Sequence, residues 1–301
     1  MKLDVLVAGE IYADLIMAGF DFFPAPGQEA FAREFRREVG GGVAITACGL
    51  ATLGTSAGLF AVTGADHHGW ISERLAAKGV DVSLLHIQPQ EPTGFTVAVT
   101  APEDRAYITY AGANRAFAAA LDYAPFESVR HVHLGWAPPW EIAPDLFERI
   151  HAAGASVSVD AGWHEDWLAD ARALPCLSNA DIFFPNETEA ARMTGHQDPT
   201  GMLACFARAG LRGVALKLGA RGSCLLWHGR TFHAPPLPVT PIDTTGAGDC
   251  FDAGFLHAWL RGESPERCLA VANICGALST EAYGGIEGFP SSARLQQVLE
   301  K

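Results

Sequence analysis

The chain has 301 residues, 49% of them hydrophobic, and a formal net charge of −13. Its length and apolar content allow a sizeable core in one or two domains. The acidic balance excludes nucleic acid, whose backbone is held by Lys and Arg, but leaves room for a nucleotide that arrives with magnesium.

Leu3 to Ala8 is an apolar run that predicts a buried first strand. Met1-Lys2-Leu3 leads into it without the apolar stretch of a leader, and the 7 cysteines form no Cys-x-x-Cys pair. Both points suit a cytoplasmic chain with reduced thiols. Gly9-Glu10-Ile11-Tyr12-Ala13-Asp14 follows and lacks the Gly-x-Gly-x-x-Gly of a dinucleotide site. Taken alone, Asp14 is a solvated loop acid. Residues 15–39 mix apolar and polar patches broken by Pro24, Pro26 and Gly27, and Glu29 to Glu38 reads as a half-exposed strand. Gly40-Gly41-Gly42 then precedes a small-residue helix, Val43 to Leu53, stopped by Gly54. The uncharged stretch from Val39 to Ala65 is long enough to span a bilayer, but its glycines divide it into loop, helix, turn and strand, so no membrane span is expected.

Ser56 to Gly64 predicts a strand, and His67-His68 the polar turn into a helix that ends near Gly79. Adjacent histidines rarely chelate one ion, and nothing nearby completes a metal site. Thr93 to Thr100 alternates apolar and polar, turns at Pro102-Glu103-Asp104 and returns as Arg105 to Tyr110, a hairpin closed by Gly112-Ala113-Asn114. From His131 onward strands and helices alternate. Strands are expected at His131–Leu134, Ser156–Asp160, Ala180–Phe184 and Gly213–Leu218, with a helix at Ala143–Ala153. Such βα units build a parallel sheet.

Two motifs fall at strand ends, where open α/β sheets bind ligands. In Pro185-Asn186-Glu187-Thr188-Glu189, Asn186 can cap a helix and the two acids suit its first turn. Lys217-Leu218-Gly219-Ala220-Arg221-Gly222 reads by itself as a tight turn. Further on, the proline-rich 236–241 segment forbids a helix, and Phe251, Phe255, Leu256, Trp259 and Leu260 then recur at helical spacing. Gly246-Ala247-Gly248 therefore sits where loop becomes helix. Backbone N–H groups at such a place lack intrahelical partners and attract an anion. Asp249 adds a carboxylate beside them, and a phosphate cradle next to a fixed base is what phosphoryl transfer to an alcohol requires. A short Gly-x-Gly-Asp taken alone could equally be a turn with a first-turn acid. Ser264-Pro265 opens the next helix, which carries Asn273.

Asp243 through Phe251 resembles, without a gap, the Asp-Thr-x-Gly-Ala-Gly-Asp signature of the ribokinase-like (PfkB-type) carbohydrate kinases. Five separated motifs agree with that family in order, from Gly9 to Gly288. The resemblance implies an α/β, ribokinase-like three-layer fold: one domain over 1–301, a central mostly parallel sheet with helices on both faces, and a small β lid inserted at about 15–39 and 93–112. It implies transfer of the ATP γ-phosphoryl group to a sugar hydroxyl, with Asp249 as base and Gly246, Ala247 and Gly248 stabilising charge. Asp14, Gly41, Gly42 and Asn114 would meet the sugar, as would Thr46, which stands where the family usually has asparagine. Asn186, Lys217, Gly219, Arg221, Gly222 and Asn273 would serve the nucleotide. Glu189 would organise magnesium through water, and the Asp243 and Thr245 loop would hold a potassium ion. The partners implied are a sugar, Mg-ATP and a second copy through the lid. No charge follows Gly42 until Asp66, so an unphosphorylated sugar is expected, with Arg36, Arg37 and Arg105 as the basic residues that a folded lid could swing over the pocket. A nucleoside kinase and a non-catalytic sugar-binding regulator are the alternatives.

Overall fold

The computed structural model describes residues 2–100 and 105–300, so the turn expected at 102–104 lies outside the described residues. Among the described residues, thirteen strands form two sheets. In chain order they are β1 (Leu3–Gly9), β2 (Tyr12–Ala18), β3 (Glu34–Gly40), β4 (Ala57–Thr63), β5 (Leu85–Ile87), β6 (Phe95–Thr100), β7 (Arg105–Tyr110), β8 (Val129–Gly135), β9 (Ser156–Val159), β10 (Ile182–Phe183), β11 (Gly213–Lys217), β12 (Ser223–Trp227) and β13 (Arg230–Ala234). The large sheet runs β13-β12-β11-β10-β9-β8-β1-β4-β5. Its strands are parallel from β5 to β11, and β12 and β13 close one edge antiparallel.

The sheet is buried on both faces because its strands alternate between two cores. Val5 and Val7 join one hydrophobic cluster, and Leu6 and Ala8 join the other. Four helices matter for the site: α1 (Gly42–Thr52), α2 (Glu187–Thr194), α3 (Ala247–Trp259) and α4 (Pro265–Ser279). α3 and α4 pack closely, since a Cβ at Gly254 would come 2.9 Å from the Cys275 sulfur. The uncharged stretch around residue 50 is α1 and β4, and among the described residues no helix is long and apolar enough to cross a membrane.

The β12–β13 hairpin is absent from the sequence reading. Its two-residue turn is His228 (φ 47) and Gly229 (φ 78), both left-handed as such a turn demands. Histidine there hides the signal that an Asn-Gly pair would have given. The segment 282–288 contains one short helix at Gly285–Gly288. The half-exposed strand expected at Glu29–Glu38 starts and ends later, at Glu34–Gly40. His131 and His133 are fully buried, and Ser156 and Ser158 take up His131 while Ser158 also takes His133. Burial pushes both imidazoles below their usual pKa, and among the described residues no group of three or more His, Cys, Asp or Glu could hold a metal ion.

The small sheet runs β3-β2-β6-β7, with β2 parallel to β6 and the other pairs antiparallel. Only two residues separate β1 from β2, and β3 ends at Gly40, one residue before the cap of α1. The lid and the large sheet are thus joined by very short backbone.

Candidate active site

Two glycine-rich helix starts face each other. α1 begins after Gly41, whose φ of 96° and lack of Cβ let it lie against the Glu10 carbonyl, where an added Cβ would approach to 2.4 Å. α3 begins after Gly246 at φ 76°, where a Cβ would sit 2.6 Å from Ile45 of α1 and 3.1 Å from the Gly285 backbone. Asp249, in the first turn of α3, fills the space that a side chain at Gly42 would need: a Cβ there would lie 2.2 Å from its Oδ1. The carboxylate is therefore braced against the backbone at the start of α1. Both helix dipoles point their positive ends at the same opening.

That opening is a cleft of about 510 Å³. Gly41, Gly42, Gly246, Ala247, Gly248 and Asp249 form one side, and Asn186, Glu189, Lys217 and Gly219 form the other. Asn186 and Glu189 make a reciprocal cap on α2. The Asn186 side chain accepts from the Glu189 N–H at 2.9 Å, and Glu189 accepts from the Asn186 N–H at 2.8 Å and from its amide at 2.7 Å. Burial, with Asp160 nearby, raises the Glu189 carboxyl to about 7. Burial and then Asp160 likewise raise Asp249 to about 7, against the opposing pull of Lys217.

Other residues expected at the site stand just behind its walls. Thr46 is fully buried, and its hydroxyl donates to the Asp249 carbonyl at 3.3 Å, so it ties α1 to α3. Asn114 is buried and binds both the N–H and the carbonyl of Ile11, at 3.1 and 2.9 Å, clamping the short link between β1 and β2. Asp14 packs over Gly40 beside the glycine turn and opposite Glu38 across the lid strands, and burial followed by Glu38 raises it to about 6. Arg221 is exposed and pairs with Glu187, while Gly222, at φ 84°, turns the chain against the Ala234 carbonyl. Asn273 is buried and donates to the carbonyls of Ala234 and Pro235, holding the segment that leaves β13. Asp243 accepts from the Thr245 N–H at 3.0 Å, the Thr245 hydroxyl at 2.7 Å and the Gly284 N–H at 3.1 Å. It thereby joins the loop before α3 to the segment around Gly285.

A family sequence model described as pfkB family carbohydrate kinase matches residues 2–292. The chain belongs to this family of carbohydrate kinases. Among its relatives, the 2-dehydro-3-deoxygluconokinase of Bacillus subtilis (strain 168) is 28% identical over 318 residues, covering 99% of this chain and 96% of that one. The ATP-dependent ribose-1-phosphate kinase of Halopiger xanaduensis is 31% identical, covering 93% of each. The Arabidopsis thaliana ribokinase solved with ribose and ATP superposes with a TM-score of 0.87 at 26% identity, over 100% of both chains. The fold is that of the ribokinases.

The kinase also places in its cleft Glu10, Tyr12, Asp160 and His164, which carry no role in the sequence reading. Asp160 follows β9, so the rule that ligands gather at strand ends was the available signal. Behind the cleft lies fully buried Asp252, one turn after Asp249 on α3. The titration of Asp249, expected from the sequence to act as base, gives a first prediction. A carboxyl with a pKa of about 7 accepts a proton only when ionised. We therefore predict that kcat/KM falls below pH 7, by about tenfold per pH unit for a single essential base. A profile flat from about pH 5.5 to 8.5 would remove Asp249 from that role.

Proposed function

We propose that this protein is an ATP-dependent kinase that phosphorylates a hydroxyl of an unphosphorylated sugar or sugar-like alcohol, with Asp249 as general base. The observation that carries the reading is the Asp249 carboxylate braced at Gly42, where the starts of α1 and α3 converge on one cleft. The acceptor hydroxyl would lie between Asp249 and the backbone of Gly246–Gly248. Asp249 would take its proton as the phosphoryl group arrives, and the N–H groups at the start of α3 would stabilise the charge on that group. Gly41, with Asp14 behind it, would position the sugar, and the turn at Gly219–Gly222 would border the nucleotide.

Magnesium suits this cleft. Asp160, Glu189 and Asp249 line it, against Lys217 as the one Lys or Arg on its wall among the described residues, and since no three of the described acids could hold an ion directly, water would complete its shell. Asn186 and Glu189 would hold the ion through water, and it would neutralise phosphate charge next to these acids.

Support for an unphosphorylated acceptor comes from the lid. The Arg36 guanidinium lies 4.8 Å over the Tyr283 ring and bonds Glu34, and Arg37 lies 4.3 Å over the Trp70 ring. Neither lines the cleft, and a phosphate brought there would meet Glu10 and Asp249 instead. We predict that matched pairs, such as fructose against fructose phosphates, show the higher kcat/KM for the unphosphorylated member. The reverse order would overturn this part of the reading. ADP release with a panel of sugars and nucleosides tests the whole: a protein that binds sugar without turnover would be a regulator, and one that prefers nucleosides a nucleoside kinase.

A potassium site is proposed where the Asp243 loop meets the segment around Gly284. Backbone carbonyls of both segments, with Asp243 adding charge, would hold the ion behind the anion hole without touching substrate. Turnover is expected to rise when potassium replaces sodium or choline, and equal rates in the three would remove the site. Exposed Phe31, Phe35, Tyr107 and Ile108 on the lid support a homodimer through that sheet. Sedimentation as a monomer at micromolar concentration would count against it.

A further inference from the structure

Lys217 was expected at the nucleotide together with Gly219 and Arg221, and it lines the same cleft with its ammonium held between two carboxyls. Its backbone is fixed, because its N–H donates to the Pro185 carbonyl at 2.9 Å and pairs β11 with the start of the α2 segment. The ammonium lies 2.8 Å from Asp160 and 3.3 Å from Asp252, with only 11% of the side chain exposed. A Cβ on Gly248 would lie 3.4 Å from the Lys217 nitrogen, so the charge sits against the backbone of the anion hole. Three separate elements are drawn to one point: the end of β9, the end of β11 and the first turns of α3.

We infer that Lys217 is a positioning residue for phosphoryl transfer: its ammonium, clamped by Asp160 and Asp252 next to Gly248, supplies a fixed positive charge to the hole that receives the transferred phosphoryl group. The inference rests on the proposed kinase function. Burial alone would discharge a lysine, but Asp160, Asp252 and Glu189 outweigh it and keep the ammonium charged. Asp252, fully buried, is pushed well above the usual carboxyl range by desolvation, and its hydrogen bond with Asp160 favours a proton on it. Such an ion cluster is a poor device for stability, because apolar side chains of similar volume often serve as well. A preorganised charge at the place where negative charge develops is a different matter.

The test separates charge from structure. Lys217→Gln keeps a donor for Asp160 and removes the charge, while Lys217→Arg keeps the charge. With Mg-ATP and a sugar that the unaltered protein phosphorylates, Lys217→Gln should lose about 10²-fold in kcat, the scale of losing one preorganised donor. KM for the sugar should move far less, and the acid limb of kcat/KM should shift to higher pH because Asp249 loses its cationic neighbour. Lys217→Arg should recover at least about tenfold of the loss. If Lys217→Gln does not fold, Lys217→Met with Asp252→Leu removes the charge together with its buried partner and takes its place. A folded, uncharged variant with native kcat and an unmoved pH limb overturns the assignment of Lys217. A protein inactive on every sugar overturns the kinase function and this inference together.

Discussion

Replacing Asp249 by asparagine is expected to lower phosphoryl transfer by about 10²–10⁴-fold, the usual worth of a positioned general base. The two side chains have nearly the same shape, so the brace at Gly42 and the hydrogen bond from Thr46 to the Asp249 carbonyl both survive. Stability should not suffer either, and the sign can be worked out. The folded carboxyl titrates near 7 against an ordinary 3.8, so the native state binds the extra proton between those values. Stability then falls as pH rises through that window, and above pH 7 the full cost of an ionised carboxylate in an unfavourable place is present. Asparagine carries no such cost, so above pH 7 the variant should melt no lower than the parent. Retained nucleotide binding with lost turnover is the result that fits. Turnover close to that of the parent would end the assignment of Asp249 as base.

The second large effect is expected at Gly42→Ala. One methyl group would lie 2.2 Å from the Asp249 Oδ1 and 3.0 Å from its Cγ. The first separation is not tolerable and the second is tight, so the carboxylate must move. A displacement near 1 Å in a reacting group costs about 10²-fold in rate, and kcat should fall by about that much. The helix gains from the same change, because Gly42 occupies its first turn and has no left-handed φ, and alanine is the better helix former by up to about 1 kcal/mol. Melting temperature and activity should therefore part company, the first unchanged or raised and the second reduced. An active Gly42→Ala enzyme would mean that the carboxylate has room to work from a second position.

How much of this was legible in the sequence depended on whether the signal was local. The start of α3 was readable because proline-rich loop, glycines, acid and apolar spacing follow one another between residues 236 and 260. Asn186 and Glu189 were equally local, since a reciprocal cap links residues three positions apart. The contact that braces Asp249 was not readable: Gly42 and Asp249 lie on different helices, and a missing side chain leaves no mark beyond the letter G. Lys217 bonds residues 57 and 35 positions away, so neither spacing nor periodicity could point to Asp160 or Asp252. Thr46 and Asn114 show the complementary difficulty. Their letters suggest a ligand, whereas the bonds that tie each to backbone elsewhere in the chain, Thr46 to Asp249 and Asn114 to Ile11, leave no mark in the sequence.

The shortness of the joints between the two sheets bears on how such a protein diversifies. β2 leaves β1 after two residues, and β3 delivers the chain to Gly41 with no intervening loop. Gly42 follows and packs against Asp249 of α3, so the glycine turn joins the small sheet directly to the backbone against which that carboxylate is braced. A shift of that sheet would reach Gly42 through covalent geometry, and Asp249 through the contact at Gly42. Changes among its outward residues can therefore retune which acceptor is tolerated, while the machinery at the start of α3 stays as it is.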